Sequence, residues 1–304
     1  MPELPEVETI KLGLQKMIRE KKIRRVLVRL PKIISLGPAT VGNKSIPSPR
    51  AVLFFKKMLA NRRILRVERR AKLLRINFEG HLTLLIHLKM TGQLIFRKKG
   101  ERKLVKLFNT ENSKFYTLPH KYTHVIFEFT DGSKLFYNDL RQFGYLRLVN
   151  DQDLSKVREL QEYGPEPLTT QFTIMHLMVA ATLRPRVTIK QFLMDPKVVA
   201  GIGNIYSDEI LYWAKVRPTR KVFGIRNQEL GKIHKYIKIV LKKALQAQGS
   251  SVGDFFKVDG SEGAYHRQHR VYGKAGQSCK RCGTVVLSVK LGGRTSSFCP
   301  KCQL

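Results

Sequence analysis

The sequence predicts an α+β multidomain protein: an N-terminal antiparallel β-sandwich preceded by a helix, then a helical domain, then a small C-terminal module. Three observations predict it. Apolar periodicity is strand-like up to Leu148 and helical after Asn150. Turn signals rather than helices separate the strands. All four Cys fall in the last 26 residues, 279–304.

Residues 5–20 read as one helix. Pro5 suits its first turn, Val7, Ile10, Leu14 and Met17 form a buried stripe, and Glu3, Glu6 and Glu8 complement the dipole at its start. From about Arg24 the chain reads as strands, at 64–68, 73–78, 81–90, 92–97, 124–129, 134–138 and 145–149, rich in β-branched and aromatic residues. Glu79-Gly80, Thr91-Gly92 and Asp131-Gly132 mark turns, and the basic, polar segment 98–121 reads as a long surface loop. Helices are expected at 151–161, 169–182, 187–194, 196–200, 204–214 and 227–247. Asn227 should cap the last, Leu230, Ile233, Ile237, Leu241 and Leu245 line it, and Gly249 follows it. The expected domains are 1–149, 150–268 and 269–304.

Charge narrows the function. Lys and Arg number 57 against 23 Asp and Glu, a net +34 in 304 residues. Such an excess repels itself in a compact fold and calls for an acidic partner. Nucleic acid is the first candidate and an anionic membrane surface the second. No basic amphipathic helix with a clean apolar face supports the membrane. The apolar runs fall far short of the ~20 residues of a spanning helix. The start, MPELPEVET, is acidic where a signal peptide is basic. The expected setting is cytoplasmic and nucleoid-associated, not secreted.

Cys279-Lys-Arg-Cys282 is followed after sixteen residues by Cys299-Pro-Lys-Cys302. Two such knuckles, with a Gly-Gly hairpin between them, match a four-Cys ribbon holding one structural Zn2+. Four thiolates would close the shell and leave no place for a reactive water. Two disulfides are the competing reading, disfavoured in a cytosolic chain. A second signal runs from Leu193 to Ile210. Gly201-Ile-Gly203 permits a tight turn, and Asn204 can cap the helix after it, whose free N–H groups suit a phosphate. A plain helix–turn–helix packing unit is the alternative.

The opening Met-Pro-Glu-Leu-Pro-Glu-Val-Glu-Thr resembles that of the formamidopyrimidine-DNA glycosylase family. So do Arg69-Arg-Ala-Lys72, His87-Leu-Lys-Met90-Thr-Gly, Asp139-Leu-Arg141-Gln-Phe143-Gly, Gly164-Pro-Glu-Pro-Leu168, Gly201-Ile-Gly-Asn204-Ile-Tyr and the Cys ribbon. The matches occur in order over nearly the whole chain. Leu4 is informative, because the related endonuclease eight-type enzymes usually carry Gly there. The resemblance implies a β-sandwich, a helix–two-turn–helix domain and a zinc finger.

It also implies an activity: a bifunctional DNA glycosylase and AP lyase of base-excision repair, acting as a monomer on damaged double-stranded DNA. The expected substrates are oxidised purines such as 8-oxoguanine and formamidopyrimidines. The alternatives are oxidised pyrimidines, or damaged-DNA binding without catalysis. Pro2 would be the nucleophile, since removal of Met1 leaves a secondary amine that titrates near neutrality. From the dipeptide alone, Pro2 merely starts a helix. Glu3 would move protons, Lys72 would sit near the lesion, and Arg294 completes the catalytic set. Glu6 would orient the terminus or simply favour the helix start. Met90, Arg141 and Phe143 match the family's trio that fills the gap left by a flipped base. His87, Lys190, Asn204 and Tyr272, with Arg294, match phosphate-contact positions. Segment 249–264 matches the loop over the flipped base and should be mobile without DNA. No redox or nucleotide cofactor is expected. Two features depart from the family: Gln142 stands where a basic residue is common, and 98–121 is unusually long and basic. The charge predicts steep salt dependence of binding.

Overall fold

The computed structural model describes residues 1–39, 48–106 and 115–304. These pack as two compact units, Met1–Gln161 with Gln248–Ala264, and Glu162–Ala247 with Tyr265–Leu304. The three expected domains are stretches of chain; packing groups them differently. Segment 248–264 returns to the first unit, and the C-terminal module shares a unit with the helices.

The first unit opens with α1, Leu4–Ile18, whose Val7, Ile10, Leu14 and Ile18 are fully buried. Two sheets follow. One orders β1 (Ile23–Val28), β9 (Thr123–Phe129), β10 (Lys134–Asp139) and β6 (Gly92–Arg97), all antiparallel. The other orders β2 (Ile34–Leu36), β11 (Tyr145–Asn150), β5 (Leu82–His87), β4 (Leu73–Phe78) and β3 (Ile64–Arg70). Its β2 runs parallel to β11, the one departure from the expected antiparallel order among the described pairs. Residues of both sheets and of α1 share one apolar core, with Leu14, Leu84, Ile86, Phe127 and Tyr137 at 0–2% exposure.

Two expectations fail here. A helix, α2 at Pro49–Leu59, interrupts the stretch read as strands alone. Ser48 caps it by accepting from the Ala51 N–H, with Pro at its first position. Segment 98–121 is not wholly loop, because β7 (Val105–Lys106) pairs with β8 (Phe115–Tyr116); its residues 107–114 lie outside the described residues.

The second unit holds α4 (Ile174–Leu183), α5 (Ile189–Met194), α6 (Asn204–Ala214) and α7 (Asn227–Gln246) around Leu177, Phe192, Tyr206, Ile233 and Leu241. The short α3, Arg158–Glu162, straddles the boundary between units, and residues 151–156 before it form a 3-10 turn. Asn227 does not cap α7. Arg226 precedes its first turn, and Glu229 accepts from the Arg226 N–H at 2.9 Å.

The helix expected at 196–200 is a set of turns. The chain at Gly164-Pro165 crosses it: Gly164 donates to the Pro196 carbonyl at 2.8 Å, and Ala200 donates to that of Pro165 at 3.0 Å. Gly164 must be glycine, since a Cβ there would sit 2.4 Å from the Lys197 carbonyl oxygen. The C-terminal hairpin is β12 (Leu287–Leu291) with β13 (Arg294–Phe298). No helix among the described residues is long and apolar enough to cross a membrane.

Candidate active site

The start of α1 gathers the first cluster. Pro2 is buried, and Glu3 and Glu6 are 2% and 1% exposed. Glu6 bridges two segments. One of its carboxylate oxygens accepts from the Glu3 N–H at 2.9 Å, the other from the Ser250 N–H at 2.8 Å. Gly249 allows this approach: its φ is +84°, and a Cβ would meet Glu6 at 3.1 Å and Phe255 at 2.9 Å. The bond to the Glu3 N–H is the capping-box contact of the helix-start reading of Glu6, and the bond to the Ser250 N–H ties that start to segment 249–264.

Burial pulls the α-amine of Met1 below its usual value of 8.0. Glu3, Glu6 and Asp254 oppose that, and the Lys72 charge adds to it. Lys72 sits in the β3–β4 turn rather than along a strand. That turn is fixed by Arg69, which reaches Glu8 on α1 at 2.8 Å and the Ala71 carbonyl at 3.0 Å. Lys72 and Lys89 also act on His87, where burial and these two charges push the imidazole down to about 3. His87 is therefore neutral, and its Nδ1 accepts from the Lys89 N–H at 3.0 Å. Asp254 is a member of this cluster that sequence reasoning misses; its one signal is its place in the Gly- and Ser-rich segment.

The second cluster sits on two turns. Met90 is half-buried, while Arg141 and Phe143 are exposed, Phe143 at 55%. The Arg141 guanidinium lies 4.7 Å from the Phe143 ring centre. Asp139 ties the turns together. Its carboxylate accepts from the Thr91 hydroxyl and, at 2.8 Å, from the Gly144 N–H. Thr91 in turn accepts from the Arg141 N–H at 2.9 Å. Met90 and the Arg141–Phe143 turn are thus held by one buried carboxylate. Asp139 opens the quoted motif, but nothing in the sequence marks Thr91 as its partner.

Segment 249–264 is anchored on the first unit. Phe255, Phe256 and Val258 are buried, Val258 accepts from the Phe96 N–H at 2.8 Å, and Gln93 reaches the Asp254 carbonyl at 2.9 Å. Its apolar side chains are anchored in this way, whereas Val252 is exposed and Gly253 and Asp254 half-buried.

In the second unit the finger hairpin is clamped to α6. Asp208, fully buried, accepts from Lys190 at 2.5 Å, the Ser296 hydroxyl at 2.5 Å and the Ser297 N–H at 2.9 Å. Lys190 is 1% exposed, so the expected phosphate contact is corrected: its charge is turned inward and paired. Asn204 is the first residue of α6, not its cap, which is Gly203, and its amide donates to the Thr295 carbonyl at 3.1 Å. Arg294 stands next to that contact, exposed at the hairpin tip. Tyr272 is half-buried, and its N–H joins those of Arg270 and Val271 on the Glu209 carboxylate at 2.9–3.0 Å. Sequence reasoning does not single out Asp208 and Glu209; paired acids inside an apolar helix are their signal.

The sulfurs of Cys279, Cys282, Cys299 and Cys302 all lie within 4.8 Å of one another. A tetrahedral zinc with ~2.3 Å bonds sets sulfurs about 3.8 Å apart. The Cys282–Cys299 and Cys279–Cys302 separations are 3.5 and 4.0 Å. The Arg281 and Cys302 N–H groups turn toward Cys279 and Cys299 sulfur at 3.4 Å, which stabilises thiolates. This donor set fits one structural zinc ion.

A sandwich bearing a buried terminal amine, a helical region and a four-Cys finger define the modular class to which known proteins can be compared. Residues 1–146 match the formamidopyrimidine-DNA glycosylase N-terminal domain, 163–255 the H2TH domain of the same enzymes, and 276–304 the zinc finger found in FPG and IleRS. Curated formamidopyrimidine-DNA glycosylases of Listeria monocytogenes and Pelotomaculum thermopropionicum are 37% and 35% identical, with 100% of this chain and 100% and 99% of theirs covered. The Lactococcus lactis Fpg, solved with abasic-site DNA, superposes with a TM-score of 0.83 at 28% identity, covering 99% of both chains. The chain belongs to the formamidopyrimidine-DNA glycosylase family.

Proposed function

We propose that the chain excises oxidised purines from double-stranded DNA through Pro2 and then cleaves the strand by β,δ-elimination. The family carries the enzyme class: the chain is a DNA glycosylase of base-excision repair with AP-lyase activity. The observation that carries the mechanism is the buried start of α1, where Pro2 lies with Glu3 and Glu6 and where burial holds the α-amine of Met1 below its usual pKa. A larger share of such an amine is unprotonated at neutral pH.

Removal of Met1 turns the Pro2 nitrogen, an amide until then, into a secondary amine in the same surroundings. Its lone pair attacks the sugar C1′, the bond from C1′ to the base breaks, the base leaves with a proton from water, and the proton of the attacking nitrogen passes to the Glu3 carboxylate. The ring oxygen takes a proton from Glu3 as the sugar opens to an iminium. Loss of a C2′ proton then expels the 3′ phosphate, and a second elimination expels the 5′ phosphate. Hydrolysis returns Pro2.

Met90, Arg141 and Phe143 take the space of the flipped base and read its orphaned partner. His87, Asn204, Tyr272 and Arg294 serve the backbone; Lys190 instead holds the finger hairpin through Asp208. The three chain segments 1–149, 150–268 and 269–304 divide the work into chemistry, DNA grip and finger, with one chain acting alone. Zinc bound by the four Cys would fix the finger's shape and supply no chemistry to the sugar.

Borohydride trapping on 8-oxoguanine duplexes tests the reading. A covalent adduct mapped to Pro2 is expected; an adduct on Lys72, or none, overturns it. The same trapping on oxidised pyrimidines decides substrate class.

A further inference from the structure

The second unit carries a cationic cluster that neither the zinc nor the residues above explain. Trp213, the chain's one tryptophan, lies at the C-terminal end of α6. Lys243 Nζ, the Arg270 guanidinium and that of Arg281 lie 5.7, 5.4 and 5.6 Å from its ring centre. Tyr236 stacks on it at 6.1 Å, and Arg281 also covers Tyr212 at 4.3 Å. A cavity of about 180 Å³ opens there, lined by Trp213, Lys243, Arg267, Arg270, Lys280, Tyr265 and Gln268.

Among the described residues, no acidic side chain lines this cavity. Their ion pairs include none of Lys243, Arg267, Arg270, Lys280 and Arg281. The buried Arg270 Nε has no hydrogen-bond partner among them. The indole face eases the crowding, since each cation over it gains an attraction that does not depend on the others' sign. What remains is a recess whose lining carries four cations and no acid. A bound anion would lower its energy.

We infer that this recess is a second phosphate-binding surface for the DNA backbone, separate from the Asn204–Arg294 end of α6. Nine residues of helix separate Asn204 from Trp213, about 14 Å along the axis. The two surfaces therefore sit at opposite ends of α6. The occupant is nucleic acid rather than an acidic peptide because the cations are spread along a shallow, aromatic-floored recess. Such a site suits the repeated point charges of a phosphate backbone. The inference does not depend on base excision.

Trp213 makes it testable, because tryptophan emission reports from this recess alone. The full chain is titrated with undamaged duplex while emission and the dependence of log K on log salt are followed. The variant Lys243→Ser/Arg267→Ser/Lys280→Ser removes exposed cations only. It should lose the emission change, bind undamaged duplex at least ~10-fold more weakly, and show a salt slope shallower by roughly 0.9 for each phosphate no longer neutralised. A charge-matched variant, Lys16→Ser/Lys32→Ser/Lys57→Ser, should keep the emission change. Lys243→Ser alone should move all three readings in the same direction by less, which covers a misfolded triple variant. An unchanged slope and emission in the first variant overturns the inference. So does an equal loss in the charge-matched variant, which would make it net charge, and so does emission that answers poly-glutamate but not DNA.

Discussion

The two units bury acidic side chains to different ends. Around α6, Asp208 and Glu209 are each met by fixed donors from other segments: Lys190, Ser296 and Ser297 for one, three consecutive N–H groups for the other. They bolt the finger and the chain before it to the helix. Around α1, Glu3 and Glu6 are as deeply buried, but they face a terminal amine whose own charge burial disfavours. One arrangement neutralises charge to hold shape. The other keeps an amine close to carboxylates while burial lowers its pKa.

That contrast can be broken at several points. The largest effect is expected from zinc removal. A closed four-thiolate site contributes on the order of 10 kcal/mol to folding what surrounds it. Chelation should abolish hydrogen-exchange protection across Leu287–Phe298 while the β4–β5 amides stay protected, with one zinc released per chain. Loss of protection in both places would mean that the finger supports the sandwich too.

Glu3→Gln should slow base excision by about 10²–10⁴-fold with little change in Tm, because a proton-transfer group is lost and no charge is stranded. Asp208→Asn should do the reverse. It strands the buried Lys190 ammonium, costing ~3–5 kcal/mol of stability in a denaturant melt. Excision measured well below the melting range should fall far less than in Glu3→Gln. If Asp208→Asn impaired the rate more than the stability, the division of roles would be wrong.

The effect smallest per step is in pH. Burial pushes His87 to about 3 and His269, with help from His266 and Lys274, to about 4, against 6.5 for a free imidazole. The folded values are depressed, so the unfolded chain takes up the protons first as pH falls. The stability is whole above 6.5 and drains as pH falls toward 4, by on the order of 1 kcal/mol per unit for each buried His. Denaturant melts from pH 7 to 4.5 should show this slope, and His269→Phe should flatten it.

The legible parts of the molecule are those where one local pattern decides the outcome. Runs of β-branched and aromatic residues between turn signals place β3 to β6 and β9 to β11, and the Cys spacing places the finger, because neither depends on distant residues. α2 is hidden because its cap, Ser48-Pro49, lies in a basic stretch whose apolar residues are split between buried Phe55 and Leu59 and exposed Leu53 and Phe54. The 196–200 turns mimic a helix in sequence because Gly164-Pro165, some thirty residues away, takes the backbone partners a helix would use. At the site, Pro2, Glu3 and Glu6 are legible through the resemblance. Asp254 and the Thr91–Asp139 clamp are not, since their roles exist only once separate turns meet. Lys190 misleads for the same reason: its partner lies eighteen residues on, one helix away.

The path of segment 248–264 has a consequence for biosynthesis. The sandwich core counts Phe255 and Val258 among its members, and Gly13 on α1 lies against Val258. A ribosome must therefore deliver the whole of α4 to α7 before the first unit can close. The earliest residues of the chain, including the amine on which the chemistry is proposed to rest, wait half-assembled for most of translation. Cutting the gene after residue 161 should not release a working sandwich, and an aminopeptidase would have its longest access to Met1 during that wait.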